Sequence, residues 1–282
     1  MTDSSTLQAL AAATEILDAQ NAQEAIVVVV SVSGPSEFVG QRIAIRRSQG
    51  GVFRRIGSFG DVGLDDAALD LARRTLEDPH ATTEGVHELI FSSGQTMGVY
   101  VEGHHPRPDL VIVGAGHIAQ PLCAMGVLLG FRVIIVDDRP EFATRERFPE
   151  ADRILRVDFS DPFAEVSLHS TSHVVLVTRG HKYDFECLRH LLKSDIEPPY
   201  VGMIGSRRRV RAAFSQLAGE GLDRDRLSRI RAPVGLDIGA ETPMEIAVAV
   251  AAEIVLEWRG GSATPLSEKE RILDRFFKET EL

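Results

Sequence analysis

The sequence predicts an α/β protein: a C-terminal parallel sheet covered by helices, preceded by a smaller N-terminal α/β domain. Three observations predict it. After Leu110, near-continuous apolar runs such as "LVIVGA", "RVIIVDD" and "HVVLVT" alternate with helical stretches, the pattern of strands buried on both faces. A glycine turn, "GAGHIA", follows the first of these runs directly. Before Gly103, by contrast, the chain reads as short β-rich runs broken by Gly, Pro and Ser.

In chain order, "MTDSSTLQALAAATEILDAQ" reads as an amphipathic helix. Strands follow at "AIVVVVSV", "QRIAIRR" and "GVFRRIG", then a helix "LDDAALDLARRTLED" and strands "HELIF" and "MGVYVEG". "GHHPRPD" has two prolines and no apolar residue, which makes it the linker. The expected division is therefore an N-terminal domain over 1–103, a linker over 104–108, a Rossmann-like domain over 109–260 and a charged tail over 261–282, read as a peripheral helix. Within the second domain the strands are "LVIVGA", "RVIIVDD", "RILRVD", "HVVLVT" and "YVGMIG", and the helices "LCAMGVLLG", "FECLRHLLKS", "RRRVRAAFSQLAGEG" and Pro243 to Trp258. That last helix is apolar almost all round, so it is expected to lie between the sheet and a further layer or a second copy of the chain.

A net charge of −10 argues against a general binder of nucleic acid or anionic membranes, so any basic function must be local. The N-terminus has no basic head, and "AIVVVV" is far too short to span a bilayer, which gives a cytoplasmic expectation. Cys123 and Cys187 both fall in helical segments, as small buried hydrophobes in a reducing compartment do.

Gly114, Gly116 and Ala119 form G-x-G-x-x-A between a strand and a helix, and Asp137 closes the next strand about twenty residues on. Gly114 permits the tight turn, Gly116 lets backbone approach a phosphate, and Ala119 keeps the helix near the sheet. Asp137 would accept hydrogen bonds from ribose hydroxyls or from the N–H edge of a pterin. His117 is either a ligand contact or a solvent-exposed filler. In "YVGMIGSRRRVR", Gly205 and Ser206 lead into Arg207, Arg208 and Arg209 at a helix start, where cations oppose the helix dipole. They mark either a phosphate-type site or an arginine-rich surface paired with acids; Ser206 serves as N-cap in both cases. "TRGHKYD" follows a strand at the same edge, directing Thr178, His181 and Asp184 toward the same crevice, although Asp184 is equally an N-cap.

Capping accounts for Thr242, Pro243 and Glu245 without chemistry, and "PVGLDIGA" before them offers Gly235 and Gly239 as ligand-approach or turn glycines. His169 and His173 straddle a loop and a strand start, so no metal site is expected. No P-loop, serine elbow or H-E-x-x-H is present, and no catalytic residue is assigned.

The second half resembles the xanthine dehydrogenase accessory protein family, XdhC/CoxI. The matching stretches are "LVIVGAGHIAQPL", "GFRVIIVDDRPEFATRERFPEAD", "VVLVTRGHKYDFECL", "YVGMIGSRRRV" and "APVGLDIGAETPMEIAVAVAAEIV". The resemblance implies a protein that binds molybdenum cofactor (molybdopterin) as cargo, protects it during sulfuration and helps insert it into a xanthine dehydrogenase-type molybdenum hydroxylase. A cysteine desulfurase is a further expected partner, and the almost wholly apolar last helix gives the expectation of a homodimer. The family pattern falls on Gly114, Gly116, His117, Asp137, Asp138, Arg139, Thr178, His181, Asp184, Gly205, Ser206, Arg207, Gly235, Asp237, Gly239 and Glu245. The N-terminal half departs from the pattern. Ser93 stands where family members carry a cysteine, and the Gly-Gly-Cys-type turn is replaced by "SFGDVGLD". A serine hydroxyl is a poor substitute for a thiolate toward molybdenum or sulfur. The leading expectation is a non-catalytic accessory protein; the alternatives are an NAD-dependent oxidoreductase using His181, or a non-catalytic NAD-binding regulator.

Overall fold

The computed structural model describes residues 4–22, 24–48, 52–77, 84–91, 93–169 and 171–270. The chain divides into two compact units, Met1–Arg107 and Pro108–Leu282.

The first unit comprises α1 (Ser4–Asn21), β1 (Ala25–Ser33), β2 (Arg42–Arg47), β3 (Phe53–Ile56), α2 (Val62–Glu77), β4 (Gly85–Ile90) and β5 (Thr96–His104). Its strands form an antiparallel sheet in the order β3-β2-β1-β5-β4. Alternation along β1 and β2 explains their composition. Val27, Val29, Ile43 and Ile45 pack with Leu64, Ala68 and Leu71 of α2, whereas Ile26, Val28 and Ala44 pack with Ala12 and Ala19 of α1. With a helix on each face, the centre of the sheet has no solvated side, which is why "AIVVVV" is solidly apolar rather than alternating. Asp61 caps α2 by accepting from the Leu64 amide at 3.0 Å. Buried Asp65 then ties the "SFGDVGLD" turn together, accepting from the Ser58 hydroxyl at 2.6 Å and the Phe59 amide at 2.7 Å. Strand β5 runs to His104, one residue into the expected linker.

The second unit comprises β6 (Asp109–Val113), α3 (Ala119–Leu128), β7 (Arg132–Asp137), β8 (Arg153–Arg156), β9 (Ser172–Leu176), α4 (His181–Lys193), β10 (Tyr200–Met203), α5 (Arg207–Gly219), α6 (Arg224–Ser228), α7 (Pro243–Arg259) and α8 (Leu266–Glu270). All its strands are parallel, in the order β10-β9-β6-β7-β8. The chain therefore winds one way from β6 to β8, then restarts at β9 on the other side of β6. That reversal opens the crevice at the carboxyl ends of β6 and β9 where ligands of such sheets bind. Val111 and Val113 of β6 join one core, with Phe185, Leu188 and Leu191 of α4 and Val210 and Leu217 of α5. Leu110 and Ile112 join the other, with Leu122 and Cys123 of α3 and Val250 and Ile254 of α7. Among the described residues, the β7-to-β8 and β8-to-β9 connections carry no helix.

Helix α7 is only partly enclosed. It packs against α3 and buries Ala247, Val250, Ala251 and Ile254, but Met244 and Val248 remain exposed. Its N-terminus has the expected capping box: Thr242 Oγ1 accepts from the Glu245 amide at 3.3 Å, and Glu245 Oε2 accepts from the Thr242 amide at 2.9 Å. The Thr242 and Glu241 amides, both donating to Glu245 Oε2 at 2.9 Å, hold the Glu245 carboxyl below its ordinary range. Thr242→Ala is expected to cost about 1 kcal/mol, read as a fall of roughly 2–4 °C in the thermal melt. Of the charged tail, Leu266–Glu270 is helical, and the rest of the expected peripheral helix, 271–282, lies outside the described residues. No helix among the described residues is long and apolar enough to cross a membrane.

Candidate functional site

The glycine turn leaves the carboxyl end of β6. Gly114 has φ +110°, and a Cβ there would meet the Val177 carbonyl oxygen at 2.6 Å, so both conformation and space require glycine. Gly116 differs. Its missing Cβ would meet no protein atom within 4 Å, which leaves the backbone open to a ligand. Ala119 begins α3 and is fully buried against the sheet, and no side chain caps that helix. His117 is exposed on the turn. Arg147, from the irregular β7–β8 connection, donates through Nη2 to the Ala115 carbonyl at 3.2 Å and to Gln120 Oε1 at 3.3 Å, placing a cation beside the turn.

Asp137 has a different employment from the one its spacing suggests. It is buried, and Oδ2 accepts from the Ala115 amide at 2.7 Å and from Arg139 Nη2 at 2.9 Å. Oδ1 accepts from the amide and Nε of Arg139, both at 2.9 Å. Four donors occupy the carboxylate, so Asp137 holds the glycine turn in shape and has no oxygen left over for a ribose or pterin edge. Burial pushes its carboxyl upward, but the Arg139 guanidinium and the two amides outweigh that and hold it below the ordinary carboxylate range. Arg139 also lies 3.7 Å over the Phe142 ring.

Asp138, the next residue, faces outward. Arg179, which follows β9, binds it with both guanidinium arms at 2.5 and 2.7 Å and also contacts the Tyr183 hydroxyl at 2.5 Å. Because β7 and β9 flank β6, this pair bridges across the carboxyl end of β6, beside the glycine turn. Burial does not anchor it, since both side chains keep substantial exposure.

A second polar knot joins β9, α4 and α5. The Thr178 hydroxyl donates to Asp184 Oδ1 at 2.5 Å, Arg209 Nε donates to Asp184 Oδ2 at 2.7 Å, and Arg209 Nη2 donates to the Thr178 carbonyl at 3.2 Å. Asp184 is fully buried; burial pushes its carboxyl up while Thr178 and Arg209 oppose the rise. The capping alternative for Asp184 is thereby corrected. Helix α4 begins at His181 with Gly180 as N-cap, and Asp184 lies inside its first turn. Ser206 does cap α5, accepting from the Arg209 amide at 3.3 Å. The three arginines thus separate: Arg209 is consumed by Asp184, whereas Arg207 and Arg208 are exposed beside Gly205. His181 is exposed at the start of α4.

The carboxyl edge therefore gathers Gly114, Gly116, His117, Ala119, Asp137, Asp138, Thr178, His181, Gly205, Ser206 and Arg207 on the ends of β6, β7, β9 and β10, the turns that follow them and the first residues of α3, α4 and α5. Gly235 follows Val234, whose amide donates to the Met203 carbonyl at the end of β10; its own amide donates to Glu253 Oε2, which also receives the Tyr200 hydroxyl, so that loop is fastened to α7. His169 and His173 are apart in function. His169 contacts Ser172 and Asp109, and His173 is buried among Phe131, Tyr200 and Trp258, where burial pushes its pKa down. Among the described residues, no three His, Cys, Asp or Glu side chains converge as a metal set. Sequence reasoning missed Arg147 and Arg179, and the signal for both was a cation within a motif stretch, "ATRERF" and "TRGHKYD", set against an acidic chain.

Comparison with known proteins bears on the same region. A family model described as the XdhC Rossmann domain matches residues 110–254, just over half of the chain. The uncharacterized protein YqeB of Escherichia coli K12 is 28% identical over 247 residues, which are 85% of this chain and 44% of that protein. A protein of Bacillus subtilis 168 described as a probable subunit of xanthine dehydrogenase is 31% identical over 180 residues, 64% of this chain and 51% of that one. The chain spans about half the length of these curated relatives. A solved structure described as a xanthine dehydrogenase from Bacillus halodurans superposes with a TM-score of 0.51 at 18% identity, covering 90% of this chain and 98% of that one; at this identity the likeness speaks to fold alone. Taken with the parallel sheet and the glycine turn that begin at Asp109, the match over residues 110–254 makes this chain a member of the XdhC Rossmann domain family.

Proposed function

We propose that this chain is an accessory protein that binds molybdenum cofactor and assists its sulfuration and insertion into a xanthine dehydrogenase-type molybdenum hydroxylase. One observation carries the reading within the family: the open backbone at Gly116, at the uncapped start of α3, with Arg147 alongside. Amides at a helix start together with a guanidinium suit a phosphate, the anionic end of the pterin cargo. The Asp137 geometry weighs against the NAD alternatives. Ribose recognition by an acid at that position needs free oxygens, and Arg139 and Ala115 take them. Ser93, exposed in the turn between β4 and β5, offers no thiol, so sulfur transfer falls to a cysteine desulfurase partner. A homodimer and a cytoplasmic setting complete the proposal.

The test is the ligand carried from a host that makes molybdopterin. The protein is purified, its ligand released and oxidised to a fluorescent pterin, and this is quantified beside NAD by mass spectrometry. Near-stoichiometric pterin, lost at least tenfold in Gly116→Val, is the expected result. NAD without pterin would overturn the reading.

A further inference from the structure

We propose that the cavity at the carboxyl ends of β7 and β8 is a ring subsite for a fused heterocycle presenting a 2-amino-4-oxopyrimidine edge, the chemistry common to guanine and the pterins. This rests on the phosphate reading above, and assigns the part of the ligand that lies beyond the phosphate. The cavity has a volume of about 600 Å³, inside the span of roughly 300–1,000 Å³ usual for small-molecule sites. Its wall adjoins the glycine turn through consecutive residues: Asp137 holds Ala115, and Asp138 lines the cavity.

The lining supplies what a flat, donor-edged ring needs. Tyr183 supplies the aromatic wall: its ring packs 4.7 Å from that of the buried Phe159, which anchors it to the core, and Arg179 braces it from 4.2 Å over the ring. Asp158 supplies the acceptor. Its Oδ1 takes the Ser160 amide at 2.8 Å, and the backbone and side-chain bonds of Ser160 keep the carboxyl below its ordinary range, so it is oriented and ionised. A carboxylate offers about four lone-pair sites, and Ser160 leaves the carboxylate with acceptor capacity to spare. Of the other charges on the wall, Glu186 pairs with Arg189 at 2.7 Å and Asp138 with Arg179, while the exposed Lys182 adds a cation at the rim. The ring N–H and exocyclic amine of a 2-amino-4-oxopyrimidine are parallel donors that match a carboxylate in the forked manner of a guanidinium. Adenine presents an acceptor where this edge has its ring N–H, which sets a lone pair against Asp158.

The experiment is calorimetric titration of the full chain with GMP, neopterin monophosphate, AMP and pyrophosphate, repeated on Asp158→Asn and Gly116→Val. Asp158 is exposed, so an unchanged thermal melt serves as the folding control. GMP and neopterin monophosphate are expected to bind about tenfold or more tighter than AMP, the worth of one charge-assisted hydrogen bond, and Asp158→Asn is expected to bring the three within about threefold. The tighter of the first two identifies the source of the ring. AMP binding equally well, or a preference that survives Asp158→Asn, overturns the subsite. Pyrophosphate binding that depends on Gly116, without discrimination among the rings, overturns the subsite and leaves the phosphate reading standing. Discrimination lost in Asp158→Asn but indifferent to Gly116→Val does the reverse.

Discussion

Gly114→Ala is expected to lower the melting temperature of the C-terminal unit by roughly 6–12 °C, corresponding to about 3 kcal/mol in a domain of this size. Two costs combine in one substitution. The backbone at φ +110° disfavours any residue with a Cβ, and that Cβ would lie 2.6 Å from the Val177 oxygen and 2.8 Å from its carbonyl carbon. Both are backbone atoms at the end of β9, so relief requires parting β6 from β9 at the centre of the sheet. Gly116→Ala is the matched control. It meets open space and is expected to leave the melt within about 1–2 °C while weakening anion binding. Equal melts for the two variants would mean that the turn is not held as described.

Asp137→Ala is expected to cost about 2–3 kcal/mol, because it leaves the buried Ala115 amide without its acceptor and the partly exposed Arg139 guanidinium without its ion pair. Chemical denaturation of single and paired variants checks it. Asp137→Ala combined with Arg139→Ala should lose less than the sum of the two single losses, since the second change removes the cation stranded by the first. The sign with pH follows from the depressed carboxyl of Asp137. A group whose pKa is lower folded than unfolded adds stability that is fully present above its unfolded value of about 3.9, and that is lost as pH falls through the folded value. Wild type should therefore destabilise more steeply than Asp137→Ala on acidification below about pH 4. Parallel acid titrations of the two proteins would refute that assignment.

Much of the fold is legible because it is periodic. Runs such as "LVIVGA" and "RVIIVDD" can only be strands with two buried faces, and the two cores on either side of β6 show that burial. Thr242, Pro243 and Glu245 announce a helix start through bonds that span three residues, and Ser206 does the same at α5. Gly114 is equally legible, since a glycine between strand and helix has few other uses. The start of α4 is not. Gly180 caps it with no side-chain bond, so the true start carries no capping signal, while Asp184 inside the first turn reads as an N-cap and the polarity of "RGHKYD" reads as loop.

The sequence by itself determined where the glycine turn would sit, between β6 and α3, because glycine spacing and strand ends are local properties of the chain. Which charges remain free was decided only by the tertiary structure. Asp137 and Asp138 are neighbours, yet one is consumed by Arg139 and the turn while the other is bridged to Arg179. Arg207 and Arg209 are two residues apart, yet one is exposed and the other is locked to Asp184. The partners of such charges lie up to 41 residues away along the chain, as Asp138 does from Arg179. They meet because the strand order sets β7 and β9 on either side of β6. A charged group's availability depends on the donors and acceptors that close around it, and those are fixed by the packing of the sheet rather than by its neighbours in sequence.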